Sequence, residues 1–220
     1  MFLVIFDLDG TIVDSRLDLA NSTNDVLVGY GARPLPVDRV AAMVGEGARK
    51  LIERALEAAG LAPDLDDALG RFREVYDRRL LEHTRPYPGI AEVIRSASAR
   101  AQLAVLTNKP VGPSQRLLEA FDVAAPFGWV LGGDSGFARK PDPAAVHYLL
   151  EQAGAGAADA LFVGDSMIDV ETARRAGVRM CVARYGFGHM RGELVLNGEE
   201  LIAETPADVG RIIESLLSQK

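Results

Sequence analysis

The sequence has few cysteines, few histidines and no run of basic residues. Its one cysteine excludes an intrachain disulfide and is typical of a reducing compartment. The three histidines lie far apart, without the spacing of metal ligands. A net charge of −7 argues against binding to nucleic acid, which usually relies on a basic patch or stripe. We therefore expect a cytoplasmic enzyme or binding protein with no nucleic-acid partner.

Long apolar runs are also absent. The apolar start, residues 2–6, is too short for the hydrophobic region of a signal peptide and follows no basic residues. No later run is long enough to cross a bilayer, so we expect no membrane partner. The chain does have an ordinary globular composition, with 48% hydrophobic and 25% charged residues among 220. A chain of this length can bury a substantial core in one domain or in two small ones.

Two carboxylates follow the first apolar stretch. Residues 2–6 predict a strand that is buried on both faces, and Asp7 and Asp9 stand where this strand ends. The carboxyl ends of parallel strands are where ligands bind in open α/β sheets. Carboxylates beside a buried strand are costly unless a cation or hydrogen-bond donors meet them. This stretch is therefore the leading candidate for the active centre.

The spacing of apolar residues divides the chain into a helical block and an α/β part. From about residue 16 to residue 82 the spacing is helical, and no segment alternates like a strand. After the Pro-Tyr-Pro-Gly sequence at 86–89, helices alternate with short apolar strands, which indicates a parallel sheet with helices on both faces. We predict a Rossmann-like α/β core of residues 1–15 and 83–220. A small all-α domain, residues 16–82, is inserted after its first strand.

Polar side chains also follow later predicted strands or lie between them. These residues are Thr107, Asn108 and Lys109, then Lys140, then Asp165, Ser166 and Asp169. If the sheet is parallel, they converge at one edge together with the first two carboxylates. Clustered carboxylates favour a hard divalent cation with oxygen ligands, such as Mg²⁺.

The same residue types suit the transfer of a phosphoryl group. One aspartate can attack phosphorus and form an aspartyl-phosphate, and a second can protonate the leaving alkoxide and then activate water. A threonine hydroxyl and a lysine ammonium can stabilise charge on the phosphoryl oxygens. In isolation each residue also has an ordinary explanation, such as a turn aspartate, the last residue of a strand or a surface lysine. Their joint occurrence favours the catalytic interpretation.

In sequence order, the stretches 7–11, 107–108, 140–141 and 164–169 resemble the four motifs of the haloacid dehalogenase superfamily of phosphohydrolases. The helical insertion resembles the small cap of the phosphoglycolate phosphatase-like branch. This resemblance covers nearly the whole chain. It implies that Asp7 is the nucleophile and Asp9 the general acid/base, and that Thr107 and Lys140 bind the phosphoryl group. We also expect Thr11 and Asn108 to contact the substrate.

The resemblance further implies a Mg²⁺ site. Its ligands would be the Asp7 carboxylate, the Asp9 backbone carbonyl and Asp165. Asp169 is the fourth predicted ligand, although Ser166 and Asp169 also fit a capping box at a helix N-terminus. In that case Asp169 would support the metal site through water or Lys140, as outer partners often do.

Two glycines precede the clearest helix of the inserted block. Gly45 and Gly47 interrupt the helical spacing and leave backbone N–H groups exposed at a helix N-terminus, which is a natural anion site. The segment resembles the substrate loop of the phosphoglycolate phosphatase cap, and Arg49 is placed to pair with a substrate carboxylate. A simple turn between helices is an equally good interpretation.

The sequence predicts a Mg²⁺-dependent phosphomonoester hydrolase acting on a small phosphorylated metabolite, with 2-phosphoglycolate favoured. Pyrophosphate, nucleotides and sugar phosphates are alternative substrates, and a sugar-phosphate mutase would share all four motifs and the cap. A haloalkanoate dehalogenase needs no acid at this position, so the presence of Asp9 argues against that activity. A non-catalytic binding protein is disfavoured because all catalytic positions are intact. Both a monomer and a homodimer are compatible with the sequence.

Overall fold

The computed structural model describes residues 1–192 and 194–219. Their elements are, in order, β1 (Leu3–Phe6), β2 (Val13–Asp14), α1 (Arg16–Gly29), α2 (Val37–Ala41), α3 (Ala48–Ala58), α4 (Leu65–Arg79), β3 (Arg85–Pro86), α5 (Ile90–Ser98), β4 (Gln102–Leu106), α6 (Val111–Ala120), β5 (Phe127–Leu131), α7 (Ala144–Ala153), β6 (Ala160–Gly164), α8 (Met167–Ala176), β7 (Arg179–Ala183), β8 (Leu201–Ala203) and α9 (Pro206–Ser218). Short 3₁₀ turns precede β6 and follow β7. No helix of this described part is long and apolar enough to cross a membrane.

Six strands form one parallel sheet in the order β5-β4-β1-β6-β7-β8. The first strand lies between β4 and β6, with Phe6 beside Val105 on one side and Val163 on the other. The predicted Rossmann-like α/β fold is therefore confirmed. The last strand, β8, was not predicted, because three residues are too few to show a strand period.

The side chains of β1 alternate between two hydrophobic clusters, one on each face of the sheet. Val4 and Phe6 pack on one face with residues of α5, α6 and α9, whereas Leu3 and Ile5 pack on the other with residues of α7 and α8. All four side chains are fully buried. This confirms that the first strand is buried on both faces, and it means that the backbone leading into Asp7 is held rigidly.

A short ribbon marks where the chain leaves the sheet domain and returns to it. Strands β2 and β3 pair antiparallel, with Val13 beside Pro86 and Asp14 beside Arg85. Between them lie helices α1 to α4. Helices α1 and α4 pack side by side, and buried side chains of α3 and α4 extend one of the two clusters into this insertion.

A buried carboxylate joins the start of the insertion to the returning chain. Asp18 is fully buried and accepts hydrogen bonds from the backbone N–H groups of His83 and Thr84, at 2.9 and 2.8 Å. The Thr84 hydroxyl donates a further bond at 2.7 Å. Burial alone would raise the pKa of Asp18, but these hydrogen bonds hold it below its usual value. Asp18 therefore links the segment that leaves the sheet to the segment that returns to it, next to the β2–β3 ribbon.

Candidate active site

The end of β1 places Asp7 against a buried lysine. The Lys140 ammonium lies 2.8 Å from Asp7 Oδ1 and 2.6 Å from Asp169 Oδ1. Lys140 comes from the connection between β5 and α7, and Asp169 from the first turn of α8. Burial would lower the pKa of Lys140, but Asp169 and Asp7 outweigh it and raise the pKa above its ordinary value. Lys140 is therefore a fixed cation between two carboxylates.

Three carboxylates form a buried cluster at this edge. Side-chain oxygens of Asp7, Asp165 and Asp169 all lie within 4.8 Å of one another. Burial raises the pKa of Asp7 to about 7, against the opposing charge of Lys140. The pKa of Asp165 is also raised well above its usual value, by burial and then by the charges of Asp169 and Asp7. The charge of Lys140 alone thus does not neutralise the three carboxylates. Their oxygen atoms are suitable metal ligands, and together with the excess negative charge they fit a divalent cation.

Asp165 can lie close to the loop that follows β1 because residue 10 of this loop is a glycine. A side chain at Gly10 would place its Cβ 1.9 Å from Asp165 Oδ2, and the Gly10 backbone has a φ of +91°. The same Asp165 oxygen accepts hydrogen bonds from the N–H groups of Phe187 and Gly188, at 3.0 and 2.7 Å. These two donors orient the carboxylate. Gly10 therefore serves the acidic cluster by leaving room for it.

Asp169 makes both of the contacts that its sequence context suggested. Its Oδ2 accepts from the Ser166 N–H at 3.0 Å and from the Ser166 hydroxyl at 2.6 Å, as in a capping box. Its Oδ1 accepts from Lys140. The same carboxylate thus caps α8 and positions the lysine. Its direct contact with a metal stays a prediction.

The Asp9 carboxylate points to different partners from the carboxylate of Asp7. The Ser15 hydroxyl donates to Asp9 Oδ1 at 2.6 Å. The Lys109 ammonium donates to Asp9 Oδ1 and Oδ2, at 3.0 Å each. Lys109 also donates to the hydroxyl of Tyr76, in α4 of the insertion, at 2.7 Å. Asp7 and Asp9 are two residues apart in the motif, but their carboxylates lie in separate polar environments.

The polar residues after β4 join separate parts of the chain. The Thr107 hydroxyl accepts a hydrogen bond from the Lys109 N–H at 3.2 Å. The Asn108 side-chain amide donates to the carbonyls of Gly45 and Lys140, at 2.9 and 3.0 Å, and accepts from the Lys140 N–H at 2.9 Å. Asn108 thus ties the insertion to the loop of the buried lysine. Its contact with substrate stays a prediction.

A cavity of about 790 Å³ lies between the insertion and the carboxyl edge of the sheet. Most of the residues predicted to act on the substrate or the metal line it: Asp7, Asp9, Gly45, Gly47, Arg49, Thr107, Asn108, Lys140 and Asp165. Arg49 is about half exposed and pairs with Asp66 of α4 at 2.5 Å. The structure therefore brings the predicted loop of the insertion to the same space as the acidic cluster.

Two predicted residues do not line the cavity. Thr11 is fully buried, and its hydroxyl has no hydrogen-bond partner among the described residues. The structure thus does not place the Thr11 side chain where a substrate could reach it, because the side chain is enclosed by the packed interior. Asp169 lies just beneath the lining, also without solvent exposure.

Sequence reasoning missed Lys109 and Tyr76 as residues of this site. Lys109 was grouped with the polar residues that follow a strand, which was its only local signal. Tyr76 occupies the apolar face of α4 with Phe72 and Leu69, so its spacing indicated core packing alone. Both residues are buried, and both line the cavity.

Comparison with known proteins agrees with this arrangement of residues. The haloacid dehalogenase-like hydrolase family matches residues 4–183 of the chain. The chain therefore belongs to this family. That membership confirms the resemblance drawn from the four motifs.

The chain is also similar to named members of the family. It is 44% identical over 192 residues to a phosphoglycolate phosphatase of Rhodospirillum rubrum, covering 84% of this chain and 80% of that protein. It is 39% identical over 196 residues to phosphoglycolate phosphatase 1 of Pseudomonas aeruginosa, covering 86% and 71%. A crystal structure described as a predicted phosphoglycolate phosphatase from Haemophilus somnus has a TM-score of 0.91 and 32% identity, covering 96% and 97%. The chain is thus phosphoglycolate phosphatase-like over most of its length.

Proposed function

We propose that this protein is a Mg²⁺-dependent phosphatase that hydrolyses 2-phosphoglycolate through an aspartyl-phosphate intermediate. The buried Asp7–Lys140–Asp169 group carries the proposal, because it sets a nucleophile and a fixed cation side by side beneath a cavity. The names of the relatives support the choice of substrate. The single, buried cysteine supports a cytoplasmic location.

In the first displacement Asp7 attacks the phosphorus atom. A bond forms between a carboxylate oxygen of Asp7 and phosphorus, and the bond from phosphorus to the ester oxygen breaks. Asp9 donates a proton to that departing oxygen, which leaves as the hydroxyl of glycolate. In the second displacement water attacks the same phosphorus and gives a proton to Asp9, and the bond from phosphorus to the Asp7 oxygen breaks. Inorganic phosphate then leaves, and Asp7 and Asp9 return to their starting states.

The cationic and polar groups beside Asp7 suit the charge on the phosphoryl oxygens. Lys140 is buried and fixed by Asp169, so its ammonium needs no rearrangement to stabilise that charge. Thr107 lines the same cavity. We assign both residues to binding the phosphoryl group.

The metal would be held by the carboxylates of Asp7 and Asp165 and by the backbone carbonyl of Asp9, with Asp169 adjacent. When bound, Mg²⁺ would neutralise clustered negative charge and allow the anionic phosphoryl group to approach Asp7. Burial raises the pKa values of Asp7 and Asp165, and Lys140 offsets this only in part, which leaves a deficit of positive charge at the cluster. That deficit supports a dication at this position.

We further propose that residues 16–82 act as a cap over the site. Gly45, Gly47 and Arg49 face the cavity from this insertion, and Asn108 bonds to it from the core. Arg191, which follows β7, adds an ion pair with Glu46 at 2.9 Å. A docked cap would exclude bulk water during the first displacement and admit one water for the second. Arg49, with the N-terminus of α3, would bind the glycolate carboxylate.

With Mg²⁺ present, we expect the purified protein to release phosphate from 2-phosphoglycolate. Removal of the metal with EDTA should abolish this release, and added Mg²⁺ should restore it, because the clustered carboxylates repel an anionic substrate when no cation is bound. Phosphate release and thermal unfolding would be followed together, so that loss of activity is separated from loss of fold.

A panel of pyrophosphate, nucleotides and sugar phosphates provides the comparison. We expect kcat/KM to be highest for 2-phosphoglycolate. Full activity in EDTA would contradict the metal site. A higher kcat/KM for another compound of the panel would contradict 2-phosphoglycolate as the preferred substrate. Isomerised sugar phosphate in place of free phosphate would indicate a mutase.

A further inference from the structure

A chain of three largely buried polar side chains runs from the helical insertion to Asp9. The Tyr76 hydroxyl lies 2.7 Å from the Lys109 ammonium, and this ammonium lies 3.0 Å from each carboxylate oxygen of Asp9. Tyr76 belongs to α4, whereas the other two residues belong to loops at the sheet edge. The side chains of Lys109 and Asp9 are 5% and 13% exposed. Solvent therefore screens this contact little.

The three N–H donors of the Lys109 ammonium match these acceptors in number. A lysine ammonium has three donors, and Asp9 supplies two acceptor oxygens while Tyr76 supplies the third. A buried donor without a partner is costly. Tyr76 supplies the third acceptor only while α4 is docked. The ammonium in turn provides two of the hydrogen bonds that orient the Asp9 carboxylate, and the Ser15 hydroxyl provides another.

We propose that Tyr76 is a positioning residue which acts through Lys109 to hold the Asp9 side chain in place when the helical insertion covers the site. The inference rests on the proposed function, in which Asp9 passes a proton to the leaving oxygen. Neither Tyr76 nor Lys109 needs to touch the reacting atoms. Docking of α4 completes the surroundings of Asp9, so that proton transfer is efficient only in the covered site.

The packing around Tyr76 allows its hydroxyl to be tested alone. The ring stacks on Phe72 with centroids 5.5 Å apart and 7° between the planes. Lys109 Nζ lies 4.7 Å from the Tyr76 ring centroid, a contact that a phenylalanine ring would keep. Tyr76→Phe therefore removes one hydrogen-bond acceptor and leaves the ring contacts in place. Tyr30→Phe is the matched control, because the Tyr30 hydroxyl bonds to Asp67 on the exposed surface of the insertion.

Tyr76→Phe should lower kcat/KM for 2-phosphoglycolate by about tenfold, the effect of one lost buried hydrogen bond. The loss in kcat/KM should be clearly smaller for p-nitrophenyl phosphate, whose leaving group depends less on protonation. This quantity is compared because it excludes hydrolysis of the aspartyl-phosphate, a step that both esters share. Tyr30→Phe should match the wild type on both substrates. In a Lys109→Met background, Tyr76→Phe should have no further effect, because the ammonium through which Tyr76 acts on Asp9 is already absent.

Equal losses on the two substrates, or full additivity of Tyr76→Phe with Lys109→Met, would overturn the inference. A wild type that hydrolyses neither substrate would contradict the proposed function instead. The contact itself is then tested by the NMR signal of the Lys109 ammonium. Tyr76→Phe and Asp9→Asn should each shift this signal, and Tyr30→Phe should not. An unchanged signal in Tyr76→Phe would overturn the inference without any reference to activity.

Discussion

Asp7→Asn should reduce kcat by on the order of 10⁴-fold or more while leaving the protein folded. An amide oxygen is a poor nucleophile, so the bond from residue 7 to phosphorus would not form. The fold should survive because asparagine has nearly the same shape and Lys140 keeps Asp169 as a partner at 2.6 Å. Burial already raises the pKa of Asp7 to about 7, so a neutral side chain relieves an unfavourable buried charge.

Phosphate release and thermal unfolding of the Asp7→Asn variant would be measured side by side. Asp38→Asn is the control, since Asp38 is an exposed aspartate of α2 outside the cavity lining. It should keep both activity and stability. If Asp7→Asn retained turnover within about tenfold of the wild type, the nucleophile would have to be another group.

Asp9→Asn should separate substrates by the basicity of their leaving groups. Loss of general acid catalysis typically costs about 10² to 10⁴-fold, and an alkyl ester such as 2-phosphoglycolate should show all of it. An aryl phosphate with a stable phenolate leaving group should lose much less in the first displacement. The comparison requires kcat/KM for both esters, because this quantity reports the steps up to cleavage of the ester bond.

Asp9→Asn also replaces the carboxylate partner of Lys109 with a neutral amide, which leaves a buried ammonium without a counter-charge. The unfolding temperature of this variant must therefore be recorded. Ser15→Ala serves as a comparison, since it removes a hydroxyl 2.6 Å from Asp9 Oδ1 but leaves the carboxylate. It should cost less than Asp9→Asn on the alkyl ester. Equal losses of Asp9→Asn on alkyl and aryl esters would contradict the general acid role.

The parts of the site that lie next to strand ends could be predicted from sequence. The apolar stretch of β1 is local, and so is the pattern of carboxylates that follows it. Once a parallel sheet is inferred, strand ends converge whatever the details of packing. This is why Asp7, Thr107 and Asp165 were expected together, and why the structure places them around one cavity.

Contacts that depend on how the insertion docks could not be predicted in this way. Tyr76 and Lys109 are 33 residues apart and meet only because α4 packs against the loop after β4. Asn108 similarly joins the insertion to the lysine loop with its side-chain amide. Thr11 is the opposite case, since motif position suggested contact with substrate while packing buries its side chain. Side-chain direction in the tertiary structure decided each case.

The double displacement through Asp7 is tested most directly by the stereochemical course at phosphorus. The substrate would be 2-phosphoglycolate made chiral at phosphorus with oxygen isotopes and sulfur, hydrolysed in isotopically labelled water. Two successive in-line displacements, first by Asp7 and then by water, should give inorganic thiophosphate with overall retention of configuration. Overall inversion would mean a single direct attack by water and would contradict the central claim.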